Sequence, residues 1–468
     1  MQVKKFLMLF ITSGIMVSCS TNSNHADTAS VAKKSDNGKI KLITVDPGHF
    51  HAALVQKSMY DNVDSVVYVF APKGEDVQEY LKRVQSYNDR PESPTRWREE
   101  VYTGEDYFQK MLRDKPGNVV VLAGNNKLKT EYIKASIDSG LNVLSDKPMA
   151  INGRSFNLLQ EAFSEAEKKK VLLYDIMTER FEITTLLQRE FSMLEEVFGT
   201  LQKGTKENPA VTKESIHHFS KIVSGSPLKR PAWFFDVEQE GEGIVDVTTH
   251  LVDLVQWECF PDQVIDYQSD INITGAKHWK TNLTPAQFEK VTGMKTYPEY
   301  LKKDVNQNGT VGVYSNGEIN YEIKGVHAKV SVIWNFEAPA GAGDTHFSTM
   351  KGSKANLIIR QGKEENYKPL LYIEPVKNRE TNQFESGLKM ALEKVQIRYP
   401  GVDLRKSGNR WMVIVPEKYH NGHEAHFGQV TEKFLEYLQD KNMPAWEVPN
   451  MIAKYYVTTK ALEIAMEK

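Results

Sequence analysis

From residue 39 onward, short apolar runs alternate with polar turns and amphipathic stretches. KLITV (41–45) and DSVVYVF (64–70) are rich in apolar, β-branched and aromatic residues and predict strands. Residues 119–153 (VVVLAGNNKLKTEYIKASIDSGLNVLSDKPMAING) carry an apolar run, a polar turn, an amphipathic segment and a second apolar run, which is one βαβ unit. His51 to Met59 and Gln78 to Tyr87 have helical spacing, and Tyr107 to Arg113 predicts a short helix. Residues 88–99 (NDRPESPTRWRE) read as a polar, Pro-bearing loop. A helix over 154–169, a strand over 171–177 and a long helix reaching about Phe198 complete a six-strand parallel pattern.

The second half has a different rhythm. ESIHHFSKIVS (214–224) alternates as a strand, and a Gly241-Glu242-Gly243 turn leads into an amphipathic helix. Residues 264–415 are strand-rich, with turns such as Ser315-Asn316-Gly317, and imply a mostly antiparallel sheet. Phe427 to Asp440 and Val448 to Met466 are helical. The fold class is therefore α/β: an N-terminal Rossmann-type, doubly wound parallel sheet (39–150) and a C-terminal α+β domain (151–468) with a largely antiparallel open sheet.

Before residue 39 the pattern is that of an address. Lys4 and Lys5 precede a short apolar run and small residues ending at Cys19, so 1–19 read as a signal peptide and the polar stretch 20–38 as a flexible linker. The Val17-Ser18-Cys19 ending resembles a bacterial lipoprotein signal, with Cys19 as the lipidated residue. A plain secretory signal with an incidental Cys19 is the alternative. This predicts an exported lipoprotein, periplasmic or outer-membrane-associated in a Gram-negative cell, touching the membrane only through its N-terminal lipid. The chain's 468 residues carry a formal charge of −2 and two cysteines, Cys19 and Cys259, so nucleic-acid binding and a disulfide scaffold are not expected.

Candidate chemistry falls at the turns. Asp146-Lys147-Pro148 lies at the carboxyl end of a predicted parallel strand, where open α/β sheets bind ligands; Lys147 is either placed for chemistry there or a solvated loop lysine. Asp46-Pro47-Gly48-His49-Phe50 stands where a dinucleotide fold has its glycine-rich loop, but only Gly48 remains. The second strand ends in Phe70-Ala71-Pro72-Lys73, with no acid for a ribose 2′-hydroxyl. Asp246 and His250 are four apart, on one helix face, so the carboxylate can hydrogen-bond and orient the imidazole as a proton relay; an ordinary buried pair reads the same way. The histidines of Tyr419–His426 lack the spacing that puts two imidazoles on one helix face, and no metal site is expected.

Together these motifs resemble the Gfo/Idh/MocA family of sugar oxidoreductases, in a Bacteroidetes-type lipoprotein branch with its own C-terminal domain. Ala123-Gly124-Asn125-Asn126 is similar to the family's Ala-Thr-Pro-Asn-like turn, Asp146-Lys147-Pro148 to its Glu-Lys-Pro, and Gly243 to Asp253 to its Gly-Gly-x-x-x-Asp-x-Gly-x-His-x-x-Asp segment. The resemblance implies NAD or NADP held by Gly48, His49, Phe50, Ala123, Asn125, Asn126, Asp146 and Lys147. It implies catalysis by Lys147, Asp246 and His250 on a secondary hydroxyl of a small-molecule carbohydrate. Arg180, Trp233, His346 and His423 are assigned to the substrate side, and the open sheet to homo-oligomer contacts. Outside the cytoplasm free NAD is scarce, so a tightly bound, internally regenerated cofactor is expected. The alternatives are an NAD-dependent glycoside hydrolase or lyase working by oxidation, elimination and reduction, and a non-catalytic sugar-binding lipoprotein on a decayed Rossmann scaffold.

Overall fold

A computed structural model describes residues 39–223, 226–339, 341–376 and 381–467; the signal segment, the linker and Cys19 lie outside the described residues. The first half alternates β1 (Leu42–Val45), α1 (His51–Leu54), β2 (Val66–Ala71), α2 (Glu75–Asp89), β3 (Arg98–Thr103), α3 (Tyr107–Asp114), β4 (Val119–Leu122), α4 (Lys129–Asp138), β5 (Asn142–Asp146), α5 (Gly153–Lys169) and β6 (Leu173–Ile176). The strands are all parallel, in the order β3-β2-β1-β4-β5-β6. β1 and β4 are buried at every position, as parallel strands covered on both faces must be. The strand order reverses between β1 and β4, and the crevice above that point is where such sheets take their ligands.

Three details depart from the sequence expectation. β3 begins inside the stretch read as a loop, because an edge strand of composition Arg-Glu-Glu-Val-Tyr-Thr lacks a buried face. The helix after β1 is a single turn, His51–Leu54, rather than extending to Met59. β6 belongs to the parallel sheet, so that layer runs past the boundary expected at residue 150.

The second half comprises α6 (Ile183–Ser192), β7 (Val211–Ser220), a small hairpin of β8 (Ile222–Val223) and β9 (Ser226–Pro227), α7 (Thr248–Cys259), β10 (Ile271–Leu283), α8 (Pro285–Thr292), β11 (Val311–Ile323), β12 (Val326–Glu337), β13 (Thr345–Lys351), β14 (Ala355–Arg360), β15 (Leu370–Pro375), α9 (Thr381–Arg398), β16 (Asp403–Ser407), β17 (Arg410–Ile414), α10 (His423–Asp440) and α11 (Glu447–Met466). A nine-stranded sheet runs β10-β11-β12-β7-β13-β14-β15-β17-β16. Every pairing described in it is antiparallel except β12 with β7. This is the largely antiparallel second sheet that the turn pattern predicts.

The last two helices join the halves. Phe427, Phe434 and Tyr437 of α10 and Met451 and Tyr455 of α11 enter the core of the parallel sheet. Ala453, Val457 and Ala461, on another face of α11, enter the core of the nine-stranded sheet. At roughly 1.5–3 kcal/mol for each large apolar side chain withdrawn from water, this wedge holds the crevice walls in register. Among the described residues no helix is long and apolar enough to cross a membrane.

Candidate active site

The crevice is built from four turns. The first follows β1. Gly48 is packed so closely that a Cβ there would lie 3.0 Å from Asp76 Oδ2 and 3.1 Å from the Trp233 ring. Gly124, after β4, is tighter still: a Cβ would stand 2.0 Å from the Asp46 carbonyl oxygen, so only glycine lets the two turns meet. The His49 amide donates to the Ala123 carbonyl at 3.2 Å, fastening the turns together.

The turn after β4 is latched to the second half. The Asn126 amide donates to the Gln239 carbonyl at 2.8 Å, and Asn126 Nδ2 to the Glu240 carbonyl at 2.7 Å. Asn125 Nδ2 donates to Gln239 Oε1 at 2.8 Å. The Asn126 Oδ1 atom is buried without a hydrogen-bond partner.

β5 delivers Asp146 and Lys147, and the Lys147–Pro148 bond is cis. Asp146 Oδ1 accepts the Lys147 amide at 3.0 Å, while Oδ2 lies 2.9 Å from His51 Nδ1 and 3.7 Å from His49 Nδ1. Lys147 Nζ donates to Asp246 Oδ1, across 99 residues of sequence, and both side chains are nearly buried. Burial alone would lower the lysine's pKa, but the Asp246 carboxylate, then Asp146, outweigh it and hold it above the ordinary value. Lys147 is therefore a fixed cation, not a solvated loop lysine.

This geometry corrects one expectation. α7 begins at Thr248, so Asp246 lies in the turn before it, and its carboxylate faces Lys147. His250 Nδ1 is buried with no hydrogen-bond partner, so Asp246 does not orient the imidazole by the hydrogen bond that the i, i+4 spacing suggests. Burial, followed by the Lys147 charge, holds His250 well below its ordinary pKa, which makes it a neutral imidazole near pH 7.

Two substrate-side expectations are also revised. Arg180 points into the core: Nε and Nη2 donate to the two Asp253 oxygens at 2.6 and 2.7 Å, and Nη1 to both Glu447 oxygens at 3.1 Å. With every guanidinium nitrogen engaged and four of its five N–H donors spent on Asp253 and Glu447, it braces α7 and α11 rather than facing a ligand. Trp233 covers the turn at Gly48, its Nε1 donating to Asp76 Oδ2 at 2.8 Å, so it belongs to the dinucleotide side of the crevice. His346 sits on β13, and burial, followed by the Lys213 charge, pushes its pKa down to about 3. His423 does come to the crevice: its ring centroid is 5.6 Å from that of His51, and that of Phe50 is 4.4 Å from His51 on another side.

Sequence reasoning missed several groups here. Lys129 is buried beneath the site and donates to the Asp146 carbonyl at 3.1 Å. Glu240 accepts from Asn126 Nδ2 at 3.2 Å and is raised well above the carboxylate range by burial and then by Asp246. Glu179 is pushed up to about 7 by burial, with Glu182 and Asp344 adding to the shift. Glu75 and Asp76, at the start of α2, supply the acids that the end of β2 lacks, a few residues later than the usual place.

Similarity to known proteins agrees with this architecture. Residues 38–175 match the model described as "Oxidoreductase family, NAD-binding Rossmann fold" of the Gfo/Idh/MocA type, and residues 187–466 match "Putative oxidoreductase C terminal domain". The chain belongs to this Gfo/Idh/MocA oxidoreductase family, and its N-terminal region, 38–175, is an NAD-binding Rossmann domain. It is 60% identical to a "putative oxidoreductase" from Parabacteroides merdae, covering 92% of this chain and 98% of that one with a TM-score of 0.90. Two distant structures share the fold. A levoglucosan dehydrogenase in complex with NADH and levoglucosan is 12% identical, covers 92% of this chain and 98% of that one, and has a TM-score of 0.58. A biliverdin reductase from Synechocystis sp. PCC 6803 is 11% identical, covers 91% and 99%, and has a TM-score of 0.54. None of the curated proteins matches the chain.

The crevice fits a dinucleotide. A cleft runs from Gly48 and His49 past Glu75, Asp76 and Glu79 to Arg83, Lys229 and Arg230, which brings a glycine, three carboxylates and three cations to its lining. The buried, unpartnered Asn126 Oδ1 is a polar atom of the kind that a bound group satisfies.

Proposed function

We propose that the protein is an NAD-dependent oxidoreductase that oxidises a secondary hydroxyl of a sugar or glycoside and keeps its cofactor tightly bound. The observation that carries this reading is the Lys147–Asp246 pair, a buried cation fixed at the carboxyl end of β5 and close enough to act on His250, whose Nδ1 is buried without a partner. The shared fold does not choose the substrate, since it also serves biliverdin. What favours a polyol is the density of carboxylate, amide and imidazole groups facing one crevice, each able to hold a hydroxyl.

Gly48 and the cations of the cleft would hold the diphosphate, and Glu75 or Asp76 a ribose hydroxyl, which favours NAD over its 2′-phosphate. The bound nicotinamide supplies a hydride acceptor. Lys147, protonated because Asp246 faces it, would donate to the reacting oxygen and stabilise negative charge there. His250, neutral through burial, would take the hydroxyl proton. Trp233 over Gly48 would slow cofactor release. Read together with Lys4, Lys5 and Cys19, the enzyme works as an exported lipoprotein; palmitate labelling that is lost in Cys19→Ala tests this, and persistent labelling excludes it.

The central test has two parts. Denaturing the purified protein should release NAD in near-equal amount to chain. Lys147→Met should then lower kcat on a responsive glycoside by about 10²–10³, as loss of one oxyanion donor does, and His250→Gln by about 10²–10⁴. Wild-type turnover in both variants would refute the site. With a nitrophenyl glycoside, phenol released without net NADH would redirect the reading to oxidation, elimination and reduction.

A further inference from the structure

The turn after β1 holds more than a cofactor needs. Where a glycine-rich loop has its third glycine, this chain has His51, and His49 stands two residues before it. The fold sets both opposite Asp146, which comes from β5, two strands away in the sheet. We propose that His49, His51 and Asp146 form a binding site for one first-row divalent transition-metal ion of the zinc or iron(II) class.

The geometry supports this at the level of individual atoms. One donor atom from each residue can be chosen so that all three lie within 4.8 Å of one another. Asp146 Oδ2 is 2.9 Å from His51 Nδ1 and 3.7 Å from His49 Nδ1. An ion bonded at about 2.1 Å sets its ligand atoms roughly 3.0–3.4 Å apart, and the two carboxylate–imidazole separations, 2.9 and 3.7 Å, fall close to either side of that range. His49 Nδ1 is buried and has no hydrogen-bond partner, although a carboxylate oxygen lies just beyond bonding reach. A buried polar atom left this way calls for a ligand or an explanation.

The supporting contacts are those of a held site. The Lys147 amide fixes Asp146 Oδ1 at 3.0 Å, which turns Oδ2 toward the two imidazoles. The His49 amide is tied to Ala123, and the His51 ring is packed between Phe50 and Phe427, with centroids at 4.4 and 4.5 Å. Of the cations that act on the two imidazoles, Lys221 is paired with Asp344, Arg230 donates to the Phe219 and His218 carbonyls, and the two lysines nearest Asp146 do not compete for Oδ2. Lys147 is spent on Asp246, and Lys129 lies against the Asp146 main-chain carbonyl at 3.1 Å.

Two imidazoles and one carboxylate select zinc, iron(II) or manganese over calcium and magnesium, which prefer all-oxygen sets. Three protein ligands leave positions open for water or a substrate oxygen. The absence of metal expected from the spacing within Tyr419–His426 does not bear on this group, whose members come from two other stretches of chain. The site requires neither the dinucleotide nor a sugar, and so stands or falls apart from the proposed oxidoreduction.

The test uses the full chain, stripped with a chelator and titrated with Zn²⁺ and Co²⁺. Metal per chain is read by atomic emission, and Co²⁺ coordination by its visible absorption. We expect one ion per chain and a Co²⁺ spectrum of mixed nitrogen and oxygen ligands. Loss of an outer-shell partner typically weakens a metal about 10–100-fold, so His49→Gln and Asp146→Asn, which each remove a ligand, should weaken it further. The exposed His420→Gln should bind as wild type does. His49→Gln lies at a partly exposed position, and its unchanged thermal midpoint without metal would show that the fold survives. Substoichiometric uptake, binding unaffected by His49→Gln, or equal loss in His420→Gln would each overturn the proposal.

Discussion

Replacing Arg180 with Met separates a strut from a ligand-binding arginine. The guanidinium neutralises two carboxylates inside the protein, Asp253 and Glu447, and lies 5.6 Å from the Trp446 ring. After the substitution Asp253 still has Lys454 Nζ at 2.8 Å. Glu447 keeps only hydroxyls, those of Tyr174 at 3.3 Å and Tyr437 at 3.5 Å. A methionine fills most of the volume, so the loss is electrostatic rather than a cavity. Stranding one partner of a buried pair costs about 3–5 kcal/mol, and Glu447 places this case at the upper end. For a chain of this size that is a fall of roughly 3–6 °C in Tm. The assay is thermal unfolding followed by circular dichroism, with cofactor content measured well below the lowered midpoint. Adding Glu447→Gln to Arg180→Met should recover part of the loss, because no charge is then left bare on that side. An unchanged midpoint together with a raised KM for substrate would return Arg180 to the substrate side and refute the assignment.

The remaining predictions probe the crevice walls. Burial, and then Asp76, push Asp46 up to about 6, well above its unfolded value of 3.8, so the folded state binds the proton more tightly and stability falls as pH rises between those values. Asp46→Asn, which tolerates the residue's positive φ of 47°, should therefore raise the midpoint of unfolding on the order of 1–2 kcal/mol above pH 6 and change little below pH 4; a gain at low pH would reverse the sign of this linkage. A Cβ on Gly243 would sit 1.8 Å from the Ser315 carbonyl oxygen, so Gly243→Ala should cost about 1–3 kcal/mol or more in urea unfolding and, by shifting the turn that carries Asp246, lower kcat as well; wild-type kcat would show the turn to be compliant. Trp233→Phe removes the hydrogen bond to Asp76 but keeps a ring over Gly48, so stability should drop only about 1 kcal/mol while bound NAD exchanges faster with labelled NAD; unchanged exchange would refute the covering role.

How much of this was legible in the sequence follows from how far each contact reaches along the chain. β1, β4 and β6 are buried at every position and β2 and β5 at most of theirs, and they announce themselves as apolar runs; β3, an exposed edge, does not. The motif around Lys147 was readable as a place, because a charged dipeptide after a buried parallel strand has few other reasons to be there. Its partner was not readable, since the ion pair spans 99 residues and local spacing offered His250 to Asp246 instead. Helical periodicity ran two residues too far: with α7 starting at Thr248, Asp246 lies outside the helix and is free to turn toward β5. Arg180 misled for a similar reason. A charged residue after the last parallel strand has the same local signature whether it faces the crevice or the core, and only the position of α11, nearly 270 residues on, decides between them. The turn at Gly48 is the sharpest case. Read as an eroded glycine-rich loop, it is a list of losses; set against Asp146, the same residues become a built grouping of two imidazoles and a carboxylate. His51 at the third glycine position puts a side chain where a glycine otherwise allows close helix–strand packing, which fits the one-turn α1. Departure from the family pattern is thus concentrated where this chain has added side chains that face one another.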